Sequence, residues 1–165
     1  MFLDLKKIFA NEGATLPIEY EMDMSNTDYS GDFPLKQPVK ISGLISNRAS
    51  MVELQLRIDY IFSADCHRCG TFCENSHTLN LLKTLAVSVE SEENDTIITV
   101  GDMQLDLDEL VFSEVYMSLP TKHLCRENCK GICAKCGKNL NDGECGCVKK
   151  EIDPRLAKLA ELLEN

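Results

Sequence analysis

Residues 51–62 read MVELQLRIDYIF, and this stretch decides the fold class. Its apolar and polar side chains alternate with a period of two, which is typical of a β-strand with one buried face and one wet face. Such half-buried strands belong to antiparallel sheets, because parallel sheets are covered on both faces. The pattern predicts five core side chains on one face of the strand: Val52, Leu54, Leu56, Ile58 and Tyr60.

Further strands are predicted on either side of this stretch. Residues 16–24 alternate in the same way, with Pro17 near the strand start, where a β-ladder tolerates proline. The turn-forming composition of residues 25–37 predicts a loop. Shorter or less regular apolar runs predict strands over residues 39–45 and 78–90, and residues 96–105 predict one short strand that enters a turn.

Two helices are predicted. Asp106 and Glu109 have the spacing of a capping pair at the start of the first helix, and Pro120 marks its end. Its apolar side chains follow helical spacing: Leu107, Leu110, Val111, Val115 and Leu119. Asp153 followed by Pro154 predicts the start of a terminal helix. The apolar stripe that we expect this helix to pack on the sheet consists of Ile152, Leu156, Leu159 and Leu163.

These elements predict an α+β fold: a mainly antiparallel β-sheet or partial barrel, an internal helix, a C-terminal cysteine-rich metal module and a terminal helix. The distribution of charge suggests a boundary between two parts of the chain at residue 120. Residues 1–120 hold 8 basic and 20 acidic residues, whereas residues 121–165 hold 9 and 7. We therefore expect an acidic body over residues 1–120, and a zinc module with its helix, packed on the body, over residues 121–165.

Several function classes are disfavoured by what the sequence lacks. No apolar run reaches the length of about 20 residues that a membrane span needs. The start, MFLDLKKIFANEG, is not a secretory signal, so a cytoplasmic location is expected. No nucleophile elbow, phosphate loop, zinc-protease or dinucleotide motif occurs. We expect neither an enzyme nor a small-molecule substrate.

Nine cysteines are many for a cytoplasmic chain, and their spacing is typical of metal ligands. Zinc takes four tetrahedral ligands. Cys133 and Cys136, followed by Gly137, are the favoured pair, and we expect one structural Zn²⁺. The sequence leaves open which four of six cysteines bind it: Cys125, Cys129, Cys133, Cys136, Cys145 and Cys147. Free thiols and an iron–sulfur cluster are the alternatives, although the common cluster spacing is absent.

A second cysteine group follows the strand of residues 51–62. Cys66, Cys69 and Cys73 either belong to a metal site, which is a second site with His77 as a fourth ligand or a site shared with the larger group, or are small residues at a sheet corner. A redox C-x-x-C pair is the third alternative, but Gly70 and Thr71 begin a helix poorly. His123, beside the first group, is expected on the surface.

Basic residues surround the larger cysteine group, and their role is open. They either balance the charge of metal-bound thiolates or contact RNA phosphates. Only Glu127 opposes them across residues 122–138, where the five cations are Lys122, Arg126, Lys130, Lys135 and Lys138.

Residues 124–163 resemble the YceD family, the large ribosomal RNA subunit accumulation proteins. The matching pieces are LC at 124–125, CKGIC at 129–133, CG at 136–137, NLN at 139–141, C-x-C at 145–147 and IDPRL at 152–156. The C-H-R-C of residues 66–69 resembles the C-x-R-C of many members. Gly70 and the extra Cys73 depart from that pattern.

The resemblance implies a non-enzymatic factor that supports accumulation of large-subunit ribosomal RNA during subunit assembly. Its expected partner is the precursor of the large subunit, through ribosomal RNA or a ribosomal protein. Two other function classes remain as alternatives. One is a thiol redox or metal-handling protein, which accessible cysteines of low pKa would indicate. The other is a zinc-module nucleic-acid or interaction protein, which duplex DNA binding would indicate.

Overall fold

The computed structural model describes residues 1–88 and 96–147, which form strands and two helices. In chain order the elements are β1 (Phe2–Asp4), α1 (Lys6–Ala10), β2 (Thr15–Met22), β3 (Val39–Arg48), β4 (Met51–Asp65), β5 (Phe72–Ala86), β6 (Ile97–Thr99), β7 (Gln104–Asp106) and α2 (Leu107–Ser118). The predicted α+β class is confirmed, with strand as its main component.

Five of the strands form an open sheet in the order β2-β3-β4-β5-β6. The first four are antiparallel, as predicted, and only β6 runs parallel to its neighbour β5. The sheet does not close into a barrel. Its two edges differ in length, since β2 has 8 residues and β6 has 3, so they offer few matching backbone groups for closure.

The hairpin of β3 and β4 carries the core pattern read from residues 51–62. Ala49 and Ser50 connect the two strands with φ angles of 51° and 62°, the left-handed pair that a tight two-residue hairpin turn requires. The five core side chains predicted on β4 are all buried, and Phe62 continues the row. The strand extends three residues beyond its predicted end, because β5 pairs with it as far as Asp65.

Helix α2 covers one face of this sheet. The Asp106 carboxylate accepts hydrogen bonds from the backbone N–H groups of Asp108 (3.1 Å) and Glu109 (3.4 Å), so the predicted cap is confirmed. Val111 and Val115 are completely buried in the core that contains the β4 side chains. The Tyr60 hydroxyl on β4 lies 3.0 Å from the Ser118 hydroxyl, which fixes the end of the helix.

The N-terminal residues also join this core, although no element was predicted for them. Strand β1 pairs with β7 in a separate two-stranded sheet, and Leu5 at the start of α1 and Ile8 within it are buried. The buried Asn47 side chain donates to the Ile8 carbonyl at 2.8 Å and ties α1 to β3. Elements of three and five residues are too short to show a period, which is why patterning did not reveal them.

Some predictions lie outside the described residues. These are the terminal helix with its stripe of Ile152, Leu156, Leu159 and Leu163, and the end of the strand predicted over residues 78–90. The division at residue 120 stays a prediction. Among the described residues, no helix has the length and apolar character needed to cross a membrane.

We predict that Gly43→Ala destabilises the protein by about 2 kcal/mol or more, as overpacking does. Gly43 lies in β3 against β4, and a Cβ there would overlap the Gln55 carbonyl oxygen and lie 2.8 Å from Leu56 Cδ2. Gly101→Ala is the control, since its Cβ would meet nothing closer than 3.8 Å. Urea denaturation of both variants measures the difference, and equal midpoints would contradict the prediction.

Candidate metal centres

Four cysteines from two distant segments meet beyond the end of the β4–β5 hairpin, and we call them cluster A: Cys66, Cys69, Cys125 and Cys129. The first two lie in the turn between β4 and β5, and the others follow α2. Their sulfur atoms all lie within 4.8 Å of one another. The distance is 3.8 Å between the Sγ atoms of Cys66 and Cys129, and 3.7 Å between those of Cys69 and Cys125.

A second group of four comes from one short stretch, and we call it cluster B: Cys133, Cys136, Cys145 and Cys147. Its sulfur atoms also lie within 4.8 Å of one another. Cluster B is more open than cluster A, because Cys136 is exposed and its other three cysteines are half-buried.

The sulfur spacing fits one tetrahedral ion in each cluster. Four thiolates held about 2.3 Å from a zinc ion at tetrahedral angles lie about 3.8 Å from each other. A disulfide would bring two sulfurs to about 2.05 Å, and all nine cysteines are free. Each cluster can therefore hold a metal ion, and four-thiolate sites of this kind are usually closed and structural.

The two clusters share the same local turn. In cluster A the Gly70 N–H donates to the Cys66 carbonyl at 2.8 Å, and Gly70 has a φ of 68°. In cluster B the Gly137 N–H donates to the Cys133 carbonyl at 2.8 Å, and Gly137 has a φ of 72°. Both positions need the left-handed conformation that glycine adopts without strain. Gly70 is therefore the residue that this turn requires.

Arg68 connects the two halves of cluster A. Its backbone carbonyl accepts from the Ile132 N–H at 3.1 Å, and its guanidinium donates to the Cys129 carbonyl at 3.0 Å. Gly131 lies so close that a Cβ there would stand 2.9 Å from the Arg68 carbonyl oxygen. Arg68 thus holds residues 129–132 against the turn between β4 and β5.

Asn141 connects cluster B to cluster A. Its side-chain amide donates to the Cys129 sulfur at 3.3 Å and accepts from the Lys130 N–H at 2.9 Å. Nearby, the Asn139 amide donates to the Thr71 hydroxyl at 3.3 Å. The asparagines of the N-L-N stretch therefore support a cluster A ligand and the hairpin turn beside it.

His123 and Cys73 form a separate contact outside both clusters. The prediction that His123 lies on the surface is wrong, since it is only 1% exposed. Its ring packs against Phe62, 4.9 Å between centroids, and its Nε2 lies 3.0 Å from the Cys73 sulfur. Burial and the nearby cluster A thiols raise the pKa of Cys73, which disfavours a reactive thiolate there. His77 is not a cluster A ligand, since it stacks on Tyr60 at 5.2 Å.

Within each cluster, the surroundings lower the pKa of one thiol and raise the pKa of another. Burial raises the pKa of Cys66, but hydrogen bonds from backbone N–H groups, led by that of Cys125, outweigh it and give a pKa of about 5. Burial and neighbouring thiols raise the pKa of Cys125 to about 12. In cluster B, the Cys136 N–H helps to lower the pKa of Cys133 to about 6, while contact with the Cys136 sulfur and burial raise that of Cys147 to about 12. Four close thiols cannot all ionise unless a cation offsets their repulsion.

The grouping differs from the one-ion expectation. The sequence predicted one ion with four ligands among six cysteines over residues 125–147, and it left open a site shared with Cys66 and Cys69. The structure places Cys125 and Cys129 with Cys66 and Cys69, and the remaining four together. Cys73 joins neither group. One signal in the sequence pointed to this arrangement: a C-x-x-C-G stretch occurs twice, at residues 66–70 and 133–137, one for each cluster.

Comparison with known proteins gives several matches. An uncharacterized protein of Mycobacterium tuberculosis (strain H37Rv) is 39% identical over 134 residues, which cover 71% of this chain and 64% of that protein. One from Mycobacterium leprae is 35% identical over 105 residues, covering 61% and 48%. The chain thus spans less than two thirds of the length of these relatives. No solved structure shows a significant match.

A relative with a descriptive name comes from Arabidopsis thaliana: the large ribosomal RNA subunit accumulation protein YCED homolog 1, chloroplastic. It is 22% identical over 166 residues, covering 81% of this chain and 51% of that protein. The family model described as large ribosomal RNA subunit accumulation protein YceD matches residues 54–163, which include most of β4 and all nine cysteines. This match covers well over half of the sequence, and the chain belongs to the YceD family.

Proposed function

We propose that this chain is a non-enzymatic, cytoplasmic factor that supports accumulation of large-subunit ribosomal RNA during assembly of the subunit. The family match carries the proposal, since it includes both cysteine clusters. The name of the Arabidopsis relative supports the same role. A non-enzymatic role agrees with the donor sets, because an ion with four thiolate ligands has no open position for a substrate.

Zinc is the ion that we propose for the clusters, in a structural role. All of the donors are thiolates, which zinc accepts in tetrahedral sites. The sulfurs in each cluster lie within 4.8 Å of one another, which leaves room for one ion but not for a cage of several irons and sulfides. This spacing supports zinc over the iron–sulfur alternative.

The direct contact that we propose is with a basic ribosomal protein of the precursor rather than with RNA phosphates. The formal net charge is −10 with every thiol counted as neutral. A divalent ion with four thiolates contributes −2, so two filled clusters bring the chain to about −14. Such a charge opposes contact with phosphates and favours a basic partner. Lys130, Lys135 and Lys138, all exposed, lie between the ligands and offset thiolate charge.

We predict that the protein sediments with large-subunit precursors when cell lysate is fractionated on a sucrose gradient. Its interaction should weaken as salt is raised, because charges on both partners are screened. Probing the fractions for this chain and for precursor ribosomal RNA measures the association. A chain that stays at the top of the gradient even at low salt would contradict the proposed function.

Replacing Lys130, Lys135 and Lys138 with Gln separates the two kinds of partner. We expect precursor association to stay equal or become stronger, because the variant is more acidic, and zinc affinity to fall. If these lysines instead contact RNA, the log–log salt slope of binding should flatten by about one unit per lost contact. A matched triple variant at Lys6, Lys7 and Arg48, which are also exposed, controls for the general loss of positive charge.

We predict that removing the metal loosens residues 122–147 while the sheet stays folded. The ions connect segments that have little apolar core of their own, whereas β4 is held by buried side chains. Amide hydrogen exchange with and without a chelator should show lost protection in the cysteine segments and unchanged protection in β4. Elemental analysis that finds no zinc in freshly purified, untagged protein would contradict the proposed metal.

A further inference from the structure

The two clusters differ in how far solvent reaches their sulfurs. In cluster A, Cys66, Cys69 and Cys129 are 2%, 8% and 4% exposed, and only Cys125 is half-buried. Cluster B has no fully buried member, and Cys136 is exposed. A small oxidant in water therefore reaches the thiolates of cluster B more easily than those of cluster A. The β4–β5 turn and the segment that follows α2 shield the cluster A sulfurs from solvent.

The clusters also differ in what their metal connects. An ion in cluster A joins the β4–β5 turn to a segment 56 residues later, as the Cys69–Cys125 sulfur contact shows. An ion in cluster B closes a loop within residues 133–147. The contacts from that loop run back onto cluster A, through Asn141 to Cys129 and through the Leu140 N–H to the Gly131 carbonyl at 2.8 Å. None of the four cluster A ligands lies in that loop, so opening cluster B removes these contacts but leaves the ligand set of cluster A complete.

We propose that the chain binds two metal ions of unlike lability: a retained ion in cluster A and a peroxide-sensitive ion in cluster B. This inference rests on the proposed zinc sites. Two thiolates of cluster B and one hydrogen peroxide, with two protons, give one disulfide and two waters. The sulfurs lose two electrons, and the O–O bond of the peroxide breaks as it accepts them. Oxidation of all four thiolates consumes two peroxides and four protons and releases Zn²⁺.

The consequence is a switch confined to one end of the molecule. The four sulfurs of cluster B lie within 4.8 Å of one another, so small backbone movements bring a pair to bonding distance. Residues 133–147 then exchange a metal-centred fold for a disulfide-linked one, while cluster A keeps residues 122–132 on the sheet. A thiol reductant and free zinc restore the first state.

Peroxide titration of the reduced, zinc-loaded full chain tests the inference. A chromogenic chelator follows zinc release, and alkylation with peptide mass spectrometry locates the oxidised cysteines. We expect two zinc ions per chain at the start. The first should be released at least tenfold faster than the second, with oxidation confined to Cys133, Cys136, Cys145 and Cys147 in that phase.

Two variants sharpen the test. Cys136→Ser leaves three thiolates in cluster B, and it should lose the fast phase while it keeps the slow one. Cys73→Ser is the matched control, since this half-buried cysteine lies outside both clusters, and both phases should stay as in the wild type. Fewer than two zinc ions per chain, release of both ions in one phase, or first oxidation in cluster A would each overturn the inference.

The outcomes separate this inference from the proposed function. A chain that sediments with precursors but releases both ions together overturns the unlike lability alone. A chain with two-phase release that never sediments with precursors overturns the ribosomal role alone.

Discussion

The pairing of β4 with β5 determines where the other parts of the molecule lie. It runs from Val52 opposite Leu85 to Asp65 opposite Phe72, the longest ladder in the sheet. At its middle, buried side chains of β4 form the core that α2 covers. At its end, the ladder presents the turn with Cys66 and Cys69 to the chain that returns after α2. A shift of one residue in this register would turn the β4 side chains to the opposite face and displace the turn.

Local patterns in the sequence predicted the elements that are long enough to express them. The alternation of residues 51–62 identified β4, and Asp106 identified the start of α2. Each of these two signals is contained in a short stretch of sequence, so it can be recognised without knowledge of the fold. Strand β1 and helix α1 were not predicted, since elements of three and five residues are too short to show a hydrophobic period. The parallel pairing of β6 depends on its contact with β5, which no local pattern encodes.

The cysteine grouping shows the same limit more sharply. Within residues 125–147 the spacing alone allows several sets of four, and it leaves open whether Cys66 and Cys69 share a site with them. What decides the grouping is the distance between two segments far apart in sequence, which the β4–β5 ladder sets. Likewise, His123 looked like a surface residue because nothing near it in sequence reveals that Phe62 packs on its ring.

The long separation between the two halves of cluster A has a consequence for synthesis of the chain. Cys66 and Cys69 leave the ribosome well before Cys129, so the earlier pair must wait with half of its ligands while some 60 further residues are added. Closing a loop of that length costs entropy that local contacts do not repay. A nascent chain stalled before residue 129 therefore lacks at least one cysteine of cluster A. Its remaining cluster A thiols can react with thiol-trapping reagents or bind other metal ions. An ion at the hairpin, if bound as proposed, gains its four cluster A ligands only after Cys129 has been synthesised.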